Sequence, residues 1–218
     1  MKTLKAITML LALAGATTLA QAQEVKGDAK AGEKKNAMCI GCHGIEGYQA
    51  SFPQIYKVPK ISGQNGKYIT AALDAYRKGD RMHPSMRGIA GSLSDQDIAD
   101  LAAYYESHGK DAAAAAVPAT AELPAALKDK LAVCVACHGT NFNNTTDPGN
   151  PRLAGQHADY LTVALRSYQV EGNHVYGRSN ATMGGMAKPL SEAEIKQIAV
   201  FLSGLPGELK TVPHAKFR

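Results

Sequence analysis

The chain has 218 residues, 45% of them hydrophobic and 6% aromatic, with no tryptophan and a formal charge of +5. That length suggests one or two domains, and a mild positive charge with no Lys/Arg block excludes electrostatic capture of nucleic acid. No stretch reaches the roughly 18 consecutive apolar residues that a membrane span requires.

Residues 1–22 read as a signal peptide. Lys2 and Lys5 form a positive start, Ile7 to Ala16 a short apolar run, and Ala20-Gln21-Ala22 a small-x-small cleavage site. The mature protein then begins at Gln23 and is exported; a retained anchor is the alternative. Cleavage lowers Lys+Arg from 24 to 22 against 19 acids, a net charge of +3.

From Asp28 to Met38 a helical run leads into Cys39-Ile40-Gly41-Cys42-His43-Gly44. The same pattern returns as Cys134-Val135-Ala136-Cys137-His138-Gly139. C-x-x-C-H is the attachment signature of a c-type haem. On a helix, positions three and four apart share a face, so two thiols can add to the two vinyl groups of one porphyrin. The adjacent imidazole then reaches its iron. A redox dithiol needs a thioredoxin-like βαβ setting, and a structural zinc site needs its Cys pairs about 15–20 residues apart. Here no strand pattern precedes either motif, and the pairs lie 95 residues apart. Disulfides are disfavoured because only two residues separate the thiols of each pair and His-Gly follows both.

The second half repeats the first. Pro59-Lys60-Ile61-Ser62-Gly63-Gln64 matches Pro151-Arg152-Leu153-Ala154-Gly155-Gln156, and Tyr68 to Leu73 matches Tyr160 to Leu165. Tyr76 falls on Tyr168, Met86 on Met183, and Leu93-Ser94 on Leu190-Ser191, with offsets of 92 to 97. Two tandem domains follow, spanning 23–110 and 123–218, with a linker at 111–122 whose Ala/Pro-rich composition lacks apolar periodicity. Helices are predicted over Tyr68 to Lys78 and over its twin, Tyr160 to Val170. A last helix in each copy starts at a capping box, Ser94 with Asp97 and Ser191 with Glu194. Ile98, Leu101, Ala102 and Tyr105, echoed by Ile195, Ile198, Ala199 and Leu202, give its apolar stripe. No convincing strand is legible, so the fold class is all-α. Lys34-Lys35 reads as a solvated helix face.

The sixth coordination position decides what such an iron can do. Candidates are Met82, His83 and Met86 in the first copy, and His157, His174, Met183 and Met186 in the second. Only Met86 and Met183 hold the same ligand type in both copies, each seven residues before the Leu-Ser start of the last helix; Met186 is the rival. Both are expected in polar, Gly-rich loops. A Met thioether gives a low-spin iron of raised potential, suited to passing electrons. His83 and His174 read as surface or supporting residues. Pro59 and Pro151 are either simple turn prolines or carbonyls that hold the proximal imidazole.

These motifs resemble those of the class I cytochromes c, and the duplicated arrangement is similar to the periplasmic two-domain dihaem cytochromes, the c-four group. The resemblance covers nearly all of the mature chain. It implies two covalent haem c groups, His43 and His138 as proximal ligands, and Met86 and Met183 as distal ligands. It also implies Pro59 and Pro151 as hydrogen-bond acceptors, assembly outside the cytoplasm, and two helical domains packed with their haems close together. One departure is visible: Pro84 precedes Met86, but the second segment has Ala181 and a Gly184-Gly185 pair, which predicts a looser loop.

The expected function is a periplasmic electron carrier, not an enzyme. It would dock transiently between a quinol-oxidising cytochrome bc complex and a terminal oxidase, with no nucleic acid and no membrane span. The alternatives are a cytochrome subunit of a flavin- or quinone-dependent dehydrogenase acting on sulfide or an alcohol, and a dihaem enzyme with one displaceable ligand.

Overall fold

A computed structural model describes residues 25–110 and 117–213. The signal-peptide reading and residues 111–116 of the linker lie outside the described residues. The described chain is mostly helical and builds one small helical unit twice.

In the first unit Asp28 caps α1 (Ala29–Lys35), its carboxylate accepting from the Lys30 and Ala31 amides. The run toward the first Cys pair is not one helix. It breaks at Asn36 (φ −77°, ψ 0°) and resumes as α2 (Ala37–His43), which presents Cys39, Cys42 and His43. α3 (Gly66–Lys78) ends on Gly79, whose φ of 88° is the left-handed cap that glycine adopts without a Cβ penalty. α4 (Pro84–Gly91) carries proline in its first turn, where the missing N–H costs no hydrogen bond. α5 (Asp95–Ser107) starts at the expected capping box: Asp97 completes it as fully as a glutamate does in the second unit.

The second unit repeats the plan. A single 3-10 turn at Ala125–Leu127 leads into α6 (Lys128–His138), which carries the second Cys pair. α7 (Ala158–Ser167) follows, starting earlier and ending sooner than the periodicity suggests. α8 (Ala181–Ala187) and α9 (Glu192–Gly204) complete the unit.

The all-α reading holds, with two very short strand pairs beside the helices. β1 (Gln49–Ala50) pairs antiparallel with β2 (Tyr56–Lys57), and β3 (Arg81–Met82) with β4 (Gly177–Arg178). Two-residue strands carry no alternation for a sequence reading to detect. The second pair also joins the two units, an association that local sequence cannot show.

Each core is small and borders on its cysteines. Ile69, Leu101, Ala102 and Tyr105 form the first, with Cys39 and Leu73 packed against it. The second gathers Leu127, Leu131, Phe142, Ala154, Leu161, Ile198, Ala199 and Leu202, with Cys134 at its margin. Units of this size bury a modest share of their surface, so an apolar group fixed at those thiols adds to a thin core.

α1 is clamped to α5. Asp100 is buried and accepts from the Asp28 amide at 2.8 Å, the Lys35 ammonium at 2.6 Å and the Gln96 amide at 2.8 Å. Lys35 also pairs with Asp97 at 2.7 Å, so it is not simply solvated. The helices approach so closely that a Cβ on Gly32 would lie 2.1 Å from the Asp100 carbonyl oxygen. Gly32→Ala is therefore expected to lower stability by about 1–3 kcal/mol, the cost of overpacking. Denaturant unfolding of the haem-loaded protein followed by far-UV circular dichroism checks this.

Candidate haem sites

Helix geometry puts each C-x-x-C-H on one short helix that ends at its histidine. None of the four cysteines forms a disulfide. Burial pushes the Cys39 thiol up to about 11 and raises that of Cys134. Neutral thiols are poor nucleophiles and poor metal ligands, which argues against a redox dithiol or a thiolate-bound metal.

Each histidine is fixed by its far nitrogen. His43 Nδ1 lies 2.8 Å from the Pro59 carbonyl oxygen, and His138 Nδ1 lies 2.9 Å from that of Pro151. A carbonyl can only accept, so both rings carry hydrogen on Nδ1 and keep the Nε2 lone pair free for a metal. Burial, acting against these bonds, keeps both imidazoles below the ordinary histidine range, so they stay neutral as ligation requires. The two turn segments behind them match. Gly63 (φ 80°) and Gly155 (φ 74°) occupy the third place of turns closed by Gln64 N–H to Ile61 O and Gln156 N–H to Leu153 O. That left-handed place favours glycine.

The methionines sit on helices, not in the loops expected from sequence. Met86 lies in the first turn of α4 and Met183 in the first turn of α8, both half-buried, while Met186 is exposed. The glycine pair does not keep the second segment from being helical. Each methionine amide donates to the residue three before it, Met86 N–H to His83 Nδ1 at 3.3 Å and Met183 N–H to Asn180 Oδ1 at 2.9 Å. Of the two roles expected for His83, surface or supporting, it takes the second, as a half-buried cap. A capping side chain stabilises a first turn by satisfying an amide that has no intrahelical partner. His174 is exposed, as expected, and His157 begins α7.

A cluster between the units escaped the sequence reading. Arg81 and Arg178 are opposed across β3 and β4. The Arg81 guanidinium lies 4.5 Å above the Tyr76 ring and donates to the Tyr68 and Tyr160 hydroxyls at 3.2 and 2.8 Å. Arg178 stacks over Tyr168 at 5.3 Å and donates to Tyr160 at 3.2 Å. Burial raises the Tyr160 phenol, but the two guanidiniums overcome that effect and hold it below the ordinary tyrosine range. Among the described residues neither arginine pairs with a carboxylate, and the buried Arg81 Nε has no hydrogen-bond partner. Two cations drawn out of water with no carboxylate partner are costly. The signal was present in sequence: Arg81 and Arg178 are 97 residues apart, the same offset as Met86 and Met183.

These observations fit haem c. Paired cysteines, an imidazole held by one nitrogen and a half-buried thioether recur in both units, and the unsatisfied guanidinium edge suits a propionate carboxylate. A helical unit built twice around such a donor set defines the dihaem c-type cytochromes.

Residues 29–109 and 126–206 each match the Cytochrome c family model. The chain is 35% identical over 216 residues to cytochrome c4 of Azotobacter vinelandii, spanning 92% of this chain and 99% of that one. Its fold matches the crystal structure of reduced recombinant cytochrome c4 from Pseudomonas stutzeri with a TM-score of 0.60 and 31% identity, covering 82% and 99% of the two chains. It is also 30% identical over 175 residues to a thiosulfate dehydrogenase electron acceptor of Stutzerimonas stutzeri, covering 77% and 78%. The chain belongs to the cytochrome c family, among the two-domain cytochromes c4. It carries two haem c groups and is a dihaem electron carrier.

Because His83 and Asn180 do the same work, His83→Asn should leave α4 intact. His83→Ala should cost about 1 kcal/mol of stability, read from thermal unfolding of the loaded protein at neutral pH.

Proposed function

We propose that the protein shuttles single electrons in the periplasm, docking in turn on a quinol-oxidising cytochrome bc complex and on a terminal oxidase. The observation that carries this reading is the duplicated donor set, in which each unit supplies both an oriented imidazole and a half-buried thioether. With an imidazole and a thioether from the chain to hold each iron, no position would remain for a substrate, and outer-sphere transfer would be the activity left. No described helix is long and apolar enough to cross a membrane, which is compatible with a carrier that diffuses between complexes.

In this reading Cys39 and Cys42, and Cys134 and Cys137, anchor the two macrocycles. His43 and His138 are the proximal ligands, oriented by Pro59 and Pro151, while Met86 and Met183 are the distal ligands, set in place by the capped first turns of α4 and α8. Arg81, Arg178 and the tyrosines around them would receive the propionate carboxylates. The unit boundaries follow the repeat, 23–110 and 123–218. Each bound haem supplies a one-electron iron couple. The protein's residues set its potential through the axial ligands, their hydrogen bonds and burial. Contact with partners is expected to be small and short-lived, as in other redox encounters.

Similarity to a thiosulfate dehydrogenase electron acceptor favours a second reading, in which the donor is a periplasmic dehydrogenase. That reading predicts co-purification with a larger catalytic subunit, which a free carrier would not show.

Two measurements test the carrier reading. The oxidised protein should show the weak near-infrared Met-to-iron band at an intensity of two per chain, and Met86→Ala or Met183→Ala should each remove half of it. Rapid mixing of the reduced protein with oxidase-containing membranes should oxidise both haems quickly at low salt. Sluggish transfer would count against the oxidase as acceptor.

A further inference from the structure

The two units grip each other through a pair of reciprocal contacts. Gln64 Oε1 accepts the Arg152 N–H at 2.8 Å, and Gln64 Nε2 donates to the Arg152 carbonyl at 3.1 Å. In the opposite direction, Gln156 Oε1 accepts the Lys60 N–H at 3.0 Å and Gln156 Nε2 donates to the Lys60 carbonyl at 2.9 Å. Both glutamines are buried, exposed by 4% and 3%. Each Oε1 also accepts the amide of the residue that follows its own glutamine, Asn65 at 2.9 Å and His157 at 3.0 Å. With two N–H groups facing one end of the amide and a carbonyl facing the other, only one orientation of each side chain satisfies all partners.

The peptide that each glutamine holds is the one that matters for the iron. The Arg152 N–H and the Pro151 carbonyl belong to a single planar amide. Its oxygen accepts from His138 Nδ1. Lys60 N–H and the Pro59 carbonyl likewise share an amide whose oxygen accepts from His43 Nδ1. A continuous chain therefore runs from Gln64 through the 151–152 peptide to His138, and a second from Gln156 through the 59–60 peptide to His43. Hydrogen bonds in series polarise one another. Accepting from the amide N–H makes its carbonyl a stronger acceptor, and a stronger bond at Nδ1 makes the imidazole more basic toward metal.

We infer that Gln64 and Gln156 are positioning residues acting in trans, each setting the orientation and basicity of the proximal histidine in the other unit. Undocking the units therefore perturbs both haems together, and each haem's potential depends on the partner unit being seated. The inference rests on His43 and His138 being iron ligands.

The test uses the full, doubly loaded protein with Gln64→Met and Gln156→Met, apolar substitutions of similar length. Redox titration with resolved haems and the Nδ1–H resonances of 15N-histidine-labelled reduced protein are the readouts. In wild type both proximal Nδ1–H signals should carry large haem ring-current shifts; their absence would sink the ligand assignment, and the inference with it. Gln64→Met should move the His138 signal, speed exchange of its Nδ1 hydrogen and raise the potential of the second haem, with His43 unchanged. Gln156→Met should do the reverse. If each variant instead perturbs only the histidine of its own unit, or neither histidine moves, the inference is overturned. Should a methionine variant fail to load, Gln64→Glu and Gln156→Glu, which keep an Oε acceptor and replace the donor with a negative charge, should strengthen the chain and lower the potential of the distant haem more than that of the near one; a larger effect on the near haem would overturn the inference.

Discussion

An imidazole that is to offer one nitrogen to a metal must have the other one fixed, or the ring turns and the tautomer wanders. Two prolyl carbonyls meet that requirement here, at 2.8 and 2.9 Å from His43 and His138. A proline has no N–H of its own, so its carbonyl stands in a segment that cannot be drawn into a regular ladder. The turn that follows, closed over Gly63 or Gly155, brings the chain round to the next helix. Much of each unit, from the end of the cysteine-bearing helix to the start of α3 or α7, is organised to hold one oxygen atom beside one ring.

The second constraint is electrostatic. Arg81 and Arg178 meet between the units among tyrosines, which offer rings and hydroxyls in place of carboxylates. Such an arrangement is unfavourable by itself and becomes favourable with anions present. In our reading the propionates supply them, so that loading the cofactors and consolidating the contact between the units are parts of one event. The same cluster supplies the tyrosine that both arginines share, Tyr160.

How far the sequence reached follows from what kind of signal each feature leaves. The cysteine pairs, the duplicated methionines and the capping boxes are short-range patterns, and they stood out because each appeared twice. Helix breaks such as the one at Asn36 leave no strong mark, since a single asparagine, though favoured at caps, also occurs inside helices at a small cost. The placing of Met86 and Met183 on helices was hidden by glycines and polar residues, which read as loop until the His83 and Asn180 caps are seen. The glutamine and arginine pairs were visible as repeats, but their partners lie in the other unit, and no local periodicity reports on a contact across 88 to 97 residues of chain.

The reciprocal contacts just described are self-complementary: two separate, identical units could form them equally well. What breaks that symmetry is a short strap beyond the second repeat, which the family model leaves at residue 206. There Glu208 pairs with Arg152 and takes the Asn143 side chain through its amide, and Lys210 N–H reaches across to the Ser62 carbonyl. Ser62 precedes the turn glycine that leads to Gln64. Because both units belong to one chain, their association does not depend on concentration. Duplication supplied two equivalent redox modules; their covalent connection makes the pairing a property of every individual molecule, however dilute, and the residues after the second copy add a contact that is made only once.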